Sequence, residues 1–293
     1  SIEESAVNIY KYLKNQMDNA DLKESINKYI LDALEDTKKG VQSSFIVSGG
    51  IDSTLVSLMA LQEIGRNEME TWTLEFGDKD MPARDVAGIC ERLEIKNSSI
   101  KVNQEKYRKA TQGLYKYLQY PLPTHSFASY EILVTEVINS GSRILYGGEG
   151  ADEIYGGYAL YKNINKSENN KSNSISPYTR VERKEDLKIS TTDVEIMFST
   201  FYNLMKQEDY KDIALRASLL CDIFVQLPST GLLCADNIGG KHGIESRSPL
   251  ANIKSIKYTI LNREYDISGK INEGKKILAG MLEKQLKDNN LEK

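Results

Sequence analysis

From residue 43 to residue 148, short apolar runs alternate with longer stretches in which apolar residues recur at helical spacing. The short runs predict strands, at residues 43–48, 71–76, 98–102 and 143–148. The longer stretches predict helices, at residues 52–64, 83–93, 105–118 and 128–138. Strands that alternate with helices in this way indicate an α/β fold, a parallel sheet flanked by helices on both faces.

The segments outside this alternation have other patterns. Residues 1–42 place apolar residues such as Ile9, Leu13 and Ile26 at helical spacing, which predicts N-terminal helices. Residues 161–190 are rich in asparagine, serine and other polar residues, which is typical of a mobile loop. Residues 191–293 are predicted to be a mostly helical C-terminal part. We expect the whole of residues 1–293 to form a single domain.

Composition and charge narrow the class of protein. The chain has 293 residues, 27% charged and 40% hydrophobic, as expected of a globular protein. A formal net charge of −4 gives no general attraction to nucleic acid, so we expect no nucleic-acid partner. No run approaches the ~18 consecutive apolar residues of a membrane span, so we expect no membrane partner. Three scattered cysteines fit a reducing, cytoplasmic location better than a disulfide framework.

The stretch FIVSGGIDSTLV, residues 45–56, interrupts an apolar run with two glycines and an acid. One interpretation is a strand-to-helix turn with a capping carboxylate at Asp52. The other is a phosphate-binding loop, since Gly49 and Gly50 permit close approach and the next helix begins with free N–H groups. Ser48 and Ser53 add hydroxyl donors. A carboxylate beside phosphates needs a bridging Mg²⁺. This stretch alone does not decide between the two.

A second combination of glycines and acids follows the fourth predicted strand, in YGGEGADEIYGGY, residues 146–158. Because parallel strands end at the same edge of a sheet, Asp152 is expected to emerge at the same edge as Asp52. Two carboxylates there can hold one Mg²⁺ over a triphosphate, which leaves Glu149 to act as a base or an orienting group. This second segment favours the nucleotide interpretation of the first.

These two segments carry a resemblance to a known family. SGGIDS resembles the pyrophosphate loop of N-type ATP pyrophosphatases, and GGEGADEIYGGY is similar to the synthetase domain of class B asparagine synthetases. TWTLEFGD, LPSTGLLCADNIGGKHGIESRSPLAN and GKKIL follow in that family's order. The resemblance implies an adenine nucleotide alpha hydrolase-like fold with its nucleotide-binding α/β core at residues 43–160 and its substrate side at residues 191–293.

The resemblance also implies an activity, an ATP-dependent ligase that adenylates a small-molecule carboxylate, releases pyrophosphate and then forms an amide with displacement of AMP. ATP and Mg²⁺ would be its cofactors, and Glu149 and Lys275 its catalytic residues. Asp52 and Asp152 would hold the metal. The implied contacts with ATP and pyrophosphate are made by Ser48, Gly49, Gly50, Asp52, Ser53, Leu74, Phe76 and Gly148.

The chain also departs from the family pattern. Class B asparagine synthetases begin with a glutaminase domain, whereas here the glycine loop comes within fifty residues of Ser1. Free ammonia, another amine, a separate glutaminase subunit or a removed domain are the alternatives for the nitrogen source. The sequence SPLAN at residues 248–252 and Ala279 replace residues on the family's substrate side, which leaves the acyl substrate open.

Three further residues are candidates for the substrate side. His125, in the loop PLPTHSF, is expected either as a surface residue or as a ligand of the acyl substrate. Glu245 and Arg247 are expected either as a buried structural ion pair, which we favour, or as groups that orient that substrate. Two other functions remain alternatives, namely an RNA-modifying ATP pyrophosphatase and a nucleotide-binding subunit without catalysis.

Overall fold

The computed structural model describes residues 1–15, 22–77, 81–159, 161, 164, 192–263 and 275–289. These residues divide into two units by their contacts. The first unit comprises residues 1–25, 150–228 and 251–277, and the second comprises residues 26–149, 229–250 and 278–293. The single-domain organisation stays a prediction. Except for Tyr161 and Ile164, the predicted mobile loop 161–190 lies outside the described residues.

The elements follow the predicted order. The strands are β1 Ser43–Ile46, β2 Glu70–Glu75, β3 Lys96–Lys101, β4 Ile144–Tyr146 and β5 Glu245–Arg247. The helices before β4 are α1 Ile2–Lys14, α2 Leu22–Ala33, α3 Glu35–Lys38, α4 Ile51–Ile64, α5 Met81–Leu93, α6 Gln104–Leu118 and α7 Ser126–Asn139. The later helices are α8 Ala151–Tyr155, α9 Thr192–Gln207, α10 Ile213–Cys221, α11 Leu227–Ser229, α12 Gly231–His242, α13 Ile253–Ile256 and α14 Lys276–Asp288. Two π-helical segments, Asp222–Gln226 and Lys257–Leu261, continue α10 and α13.

The second unit is built on a five-stranded parallel sheet in the order β3-β2-β1-β4-β5. Its central strands β1 and β4 are buried, and one face packs on an apolar cluster that includes Phe127, Val134, Leu145 and Ile238. The helix α4 is buried from Ser53 to Leu61, which explains its nearly continuous apolar sequence. The predicted α/β class, a parallel sheet flanked by helices, is confirmed.

Strand β5 corrects the sequence prediction, which assigned residues 191–293 to a helical part. Glu245 to Arg247 pair in parallel with Ile144 to Tyr146 at the edge of the sheet. The strand has three residues, Glu-Ser-Arg, and therefore lacks the apolar run that announces the other strands. Its position is set by α12, whose C-cap Gly243 adopts a left-handed conformation (φ 70°) and turns the chain back into the sheet.

The first unit is helical in its described part. Helix α1 packs against α9, and α9 packs against α10. Arg216 of α10 is fully buried, and its guanidinium donates to the carbonyl oxygens of Ile260 (2.5 Å) and Asn262 (3.0 Å) at the end of the second π-helical segment. A π-helical turn leaves carbonyls without their usual α-helical partners, and a buried arginine satisfies such groups.

One helical run in the described residues, Ile213–His242, is long and apolar enough to cross a membrane by length and composition, with a mean hydropathy of 1.4. Half of its most apolar window is buried within the protein. The buried side chains of Arg216 and Asp222 lie inside this run. Buried core helices of globular proteins satisfy the same test, and two buried charged residues favour that assignment here.

Candidate active site

The glycine loop joins β1 to α4 at the carboxyl end of the sheet. Gly49 has a left-handed backbone (φ 80°), and Gly50 is the N-cap of α4. The hydroxyl groups of Ser48 and Ser53 are 3.0 Å apart, and the Ser53 hydroxyl also accepts from the Ser48 N–H at 3.1 Å. Ser48, Gly49 and Gly50 are exposed. Ser53 is buried beneath the exposed loop. The loop and the start of α4 thus gather backbone N–H groups and two neighbouring hydroxyls at a helix N-terminus, which suits an anion.

The loop after β4 packs directly on the start of α4 within the same unit. A Cβ atom on Gly148 would lie 2.8 Å from the Asp52 Cβ and 3.0 Å from the Ser53 backbone nitrogen. Only glycine permits so close an approach, since real Cβ atoms essentially never lie under 3.0 Å from another heavy atom. The structure therefore brings Gly148, at the start of the second glycine-and-acid segment, against Asp52 and Ser53 of the first.

Glu149 follows Gly148 and is half-buried. Its carboxylate folds back over Gly147, where any Cβ would overlap both carboxylate oxygens. The Ser248 hydroxyl donates to Glu149 Oε2 at 3.3 Å. This carboxylate is thereby placed one residue from the contact between Gly148 and Asp52, with its position set by Ser248 and by the absence of a side chain at Gly147.

Buried groups around Glu149 respond to its charge. Burial raises the pKa of the Cys234 thiol to about 12, and the Glu149 carboxylate contributes to this rise. Burial likewise raises the pKa of Tyr130, with Glu149 as the second cause, while the Ser246 hydroxyl 3.0 Å away acts in the opposite direction. Cys234 and Tyr130 therefore stay protonated at neutral pH, so neither side chain adds a charge near the Glu149 carboxylate.

Asp152 and Lys275 form an ion pair in the first unit. Asp152 lies in the first turn of α8, and its Oδ1 accepts from Lys275 Nζ at 2.7 Å. The lysine side chain is 10% exposed, and its backbone has a left-handed conformation (φ 46°) that non-glycine residues rarely adopt. A Cβ on Gly157 would overlap Asp152 Oδ1 and Lys275 Cε, so this glycine makes room for the pair.

A second carboxyl group lies next to this pair. Glu153 is buried, and burial raises its pKa, although the Tyr158 hydroxyl that donates to its Oε1 at 2.8 Å opposes the rise. The neighbouring Asp152 charge adds to the rise and Lys275 opposes it. The first turn of α8 thus carries two carboxyl groups in different environments, one ion-paired and one buried.

The residues fit the predicted Mg²⁺ in their donor chemistry. Asp52 and Asp152 both lie in the first turn of a helix after a glycine, and carboxylate oxygens are donors that Mg²⁺ prefers. Among the described residues, no group of three or more histidine, cysteine, aspartate or glutamate side chains could hold a metal alone. Mg²⁺ typically binds through one or two carboxylates with substrate phosphates and water completing its shell.

Three further predicted contact residues belong to the second unit. Leu74 packs against the apolar cluster under the sheet, whereas Phe76, just past the end of β2, is 52% exposed. His125 is exposed at the start of α7, and its backbone carbonyl accepts from the Tyr107 hydroxyl at 2.8 Å. These contacts stay predictions.

Glu245 and Arg247 contact each other, but the pair is not buried as expected, since the Glu245 side chain is 62% exposed at the edge strand β5. Arg247 Nε donates to Glu245 Oε1 at 2.7 Å, and its other nitrogens donate to Asp36 (2.6 Å) and to the Ala33 carbonyl (2.9 Å). Hydrogen bonds from Arg247 hold the pKa of the Asp36 carboxyl below its usual range. These contacts tie β5 to the α2–α3 corner, which supports a structural role for Arg247, while contact with a substrate stays a prediction.

Ser248 and Gly157 are functional candidates that sequence reasoning missed. Ser248 lies in the stretch SRSPLAN, but nothing in that stretch marks its hydroxyl as a partner of a carboxylate 99 residues earlier. Gly157 belongs to a glycine-rich segment that was noticed as a whole. Its specific role depends on the packing of Lys275, which sequence spacing does not reveal.

Comparison with known proteins gives the family. The family model for asparagine synthase matches residues 27–293. A putative glutamine-hydrolyzing asparagine synthetase of Mycobacterium bovis is 27% identical over 117 residues, covering 40% of this chain and 18% of the relative. A probable glutamine-hydrolyzing asparagine synthetase of Acanthamoeba polyphaga mimivirus is 27% identical over 132 residues, covering 43% of this chain and 24% of the relative. The matched part therefore spans about a quarter or less of these relatives.

Two solved structures are also similar. The NH3-dependent NAD synthetase of Campylobacter jejuni has a TM-score of 0.34 and 13% identity, covering 67% of this chain and 98% of that one. The glutamine-dependent NAD+ synthetase of Acinetobacter baumannii, in complex with ADP, has a TM-score of 0.35 and 15% identity, covering 80% of this chain and 51% of that one. Because the family model covers all but the first 26 residues, the chain belongs to the asparagine synthase family.

Proposed function

We propose that the chain is the synthetase part of an ATP-dependent, AMP- and pyrophosphate-forming amide ligase. One observation carries this proposal, the close packing of Gly148 against Asp52 and Ser53. This contact supports the assignment, because it joins the loop that precedes Glu149 to the start of α4 within one unit. Membership in the asparagine synthase family supports the same reaction class.

The glycine loop would bind the phosphates of ATP. The exposed N–H groups of the Gly49–Gly50 turn, the first turn of α4 and the hydroxyls of Ser48 and Ser53 offer neutral hydrogen-bond donors. Such donors stabilise the negative charge that develops on phosphate oxygens during adenylation. We propose that Gly148, Leu74 and the exposed Phe76 contact the AMP part.

Charge neutralisation is assigned to Asp52, Asp152 and Lys275. Mg²⁺, when bound, would supply Lewis-acid stabilisation of phosphate oxygens, and Asp52 and Asp152 would hold it. Lys275 carries its ammonium on a buried side chain, where a charge interacts more strongly than it does in water. We assign this ammonium to the α-phosphate and the leaving pyrophosphate.

Glu149 would act in the second step, when the nitrogen nucleophile displaces AMP from the acyl-adenylate. Ammonia must be neutral to attack, and the tetrahedral adduct must then lose a proton. A carboxylate held by Ser248 and surrounded by the uncharged Tyr130 and Cys234 is placed to accept that proton. Its fixed position reduces the entropy cost of the transfer.

The names of two relatives bear on the nitrogen source and the acyl substrate. The two curated relatives are named as glutamine-hydrolyzing asparagine synthetases. We propose a small-molecule carboxylate as the acceptor and ammonia as the nucleophile, delivered free or by a separate glutaminase subunit. His125, Glu245 and Arg247 stay candidates for the acyl side.

An assay of both steps tests this function. The protein is incubated with ATP, Mg²⁺, ammonium and a panel of amino acids, and AMP, pyrophosphate and amide are quantified. A carboxylate that elicits AMP and pyrophosphate in equal amounts, with an amide as third product, is the expected result. The Ser53→Ala variant should lower product formation, since it removes one hydroxyl of the loop. Release of ADP and phosphate instead, or no product with any carboxylate or added glutaminase, would contradict the proposal.

A further inference from the structure

Lys275 and Asp152 form an ion pair whose position is fixed by the backbone of Lys275 and by the space at Gly157. Lys275 Nζ lies 2.7 Å from Asp152 Oδ1, and the lysine is 9% exposed. The backbone of Lys275 takes an unfavourable left-handed conformation (φ 46°), and Gly157 leaves the space in which the two side chains meet. A conformation that costs energy persists only where surrounding contacts stabilise it. The ion pair is one such contact.

The proposed function assigns the same carboxylate to Mg²⁺. Two cations, the Lys275 ammonium and Mg²⁺, would therefore bind Asp152. An ammonium binds a carboxylate oxygen at about 2.8 Å and Mg²⁺ at about 2.1 Å. Both cations on this one carboxylate would lie within about 5 Å of each other, where like charges in a partly buried site repel strongly. The Asp152 side chain is 34% exposed, which leaves an approach from solvent for the metal.

Resting on that function, we propose that Lys275 and Mg²⁺ compete for Asp152, so that metal binding releases the lysine ammonium from its ion pair. The Lys275 ammonium neutralises the Asp152 carboxylate until the metal takes the place of the ammonium. The released ammonium is then able to turn toward an anion, the phosphate that accompanies the metal. The exchange links the availability of Lys275 to the arrival of the metal nucleotide.

Metal binding measures this competition directly. Mn²⁺ serves as the probe, titrated without nucleotide into the full chain and followed by the loss of the free-ion electron paramagnetic resonance signal. Lys275→Met should bind Mn²⁺ about tenfold more tightly than the wild type, because the metal no longer displaces a hydrogen-bonded charge. Lys275→Arg retains the charge and should stay near the wild-type affinity. Lys276→Met, an exposed neighbouring lysine, is the matched control and should change nothing.

Amine labelling of the unaltered protein gives an independent measure. Lys275 should be protected from acetylation by acetic anhydride in metal-free buffer and should gain reactivity several-fold when Mg²⁺ is added, with Lys276 as internal reference. Gly157→Ala should expose Lys275 to the reagent without any metal, because its methyl group separates the pair. A purely structural ion pair would show no response of Lys275 labelling to Mg²⁺.

The outcomes separate this inference from the proposed function. Unchanged Mn²⁺ affinity in Lys275→Met, together with Lys275 labelling that does not respond to Mg²⁺, overturns the competition. The proposed function would still stand if the wild type forms AMP and pyrophosphate. The titration is repeated with a non-hydrolysable ATP analogue, because substrate phosphates are expected to complete the metal shell. Absence of Mn²⁺ binding by every variant beyond that of the analogue alone overturns both the competition and the metal assignment of Asp152. Loss of Mn²⁺ binding in Asp152→Asn, with Lys275 then reactive in metal-free buffer, supports the competition.

Discussion

Glu149 is the residue on which the second step of the proposed reaction depends. Glu149→Gln keeps the size and the hydrogen bond from Ser248 but removes the proton acceptor. We expect the rate of amide formation to fall by about 10²–10⁴, the usual contribution of a general base, and the rate of adenylation by less than tenfold. Quantifying amide, AMP and pyrophosphate in one reaction checks this, since AMP should then exceed amide. Equal loss of both steps would remove Glu149 from the base role.

Ser248 is expected to position the Glu149 carboxylate. Its hydroxyl donates at 3.3 Å, a long hydrogen bond, so Ser248→Ala should lower kcat for amide formation by about fivefold, equivalent to ~1 kcal/mol. The KM for ATP should not change, because the loop after β1 is untouched. Ser248→Thr, which retains a hydroxyl, should restore most of the activity. A changed KM for ATP with unchanged kcat would contradict the positioning role.

At the scale of single residues, the sequence predicted the candidates that can be recognised from their residue type and their immediate neighbours. Asp52, Glu149 and Asp152 stand out as acids among glycines, and the structure places Asp52 against Gly148. Ser248 and Gly157 could not be predicted, because their importance comes from contacts made across many residues of sequence. A serine hydroxyl and a missing Cβ acquire a role only when the fold supplies their partner.

At the scale of elements, the proposed nucleotide site depends on the packing of the loop after β4 on the start of helix α4. Gly148→Ala would place a methyl group 2.8 Å from the Asp52 Cβ and 3.0 Å from the Ser53 nitrogen, so the loop and the helix start must separate. We expect binding of ATP, measured by calorimetry, to weaken at least tenfold, with a loss of stability of about 1–3 kcal/mol. The effect comes from backbone groups that cannot rotate away.

Gly113→Ala is the matched control for this prediction. Gly113 lies inside helix α6, and an added Cβ there meets no atom within 4 Å. This substitution should raise stability by up to ~1 kcal/mol through helix propensity and leave ATP affinity unchanged. If Gly148→Ala bound ATP as tightly as Gly113→Ala, ATP binding would not depend on the packing of the loop after β4 against the start of α4.

Helices and strands with a periodic pattern of apolar residues were predicted with bounds that differ by a few residues from those in the structure. Strand β5 was not predicted at all. Helix α4, predicted at 52–64, runs from Ile51 to Ile64, and strand β2, predicted at 71–76, runs from Glu70 to Glu75. Glu245–Arg247 forms a strand because α12 delivers it to the exposed edge of β4, where backbone hydrogen bonds are available. Such a strand is specified by its neighbours rather than by its own side chains.

At the scale of the whole chain, each unit is assembled from three separated segments. The sequence predicted the α/β alternation because local periodicity encodes it, but the grouping of segments depends on long-range packing. Residues 1–25 belong with segments that begin 125 residues or more later, and residues 278–293 group with the sheet segments. Family membership explains why the order of motifs was nevertheless recognisable along nearly the whole chain.

Glu208 connects distant segments of the first unit and makes the stability of the molecule depend on pH. Its carboxylate accepts from Lys14 and, at 3.2 Å, from Arg263. Burial acts to raise the pKa of Glu208, but Lys14 and Arg263 outweigh it and leave the pKa below its ordinary 4.5. A lowered folded-state pKa means that this stabilisation is present above about pH 4.5 and is lost as pH falls through the lower folded value.

Glu208→Gln should therefore cost about 1 kcal/mol of unfolding free energy at pH 7, a modest value because all three side chains are partly exposed. Urea unfolding of wild type and variant between pH 7 and pH 3 measures the difference, which should shrink toward zero at the acid end. Glu105→Gln, which removes the exposed pair with Lys109, should cost less than half as much at pH 7. A difference for Glu208→Gln that stayed constant from pH 7 to pH 3 would show that packing, rather than the ionised carboxylate, joins these segments.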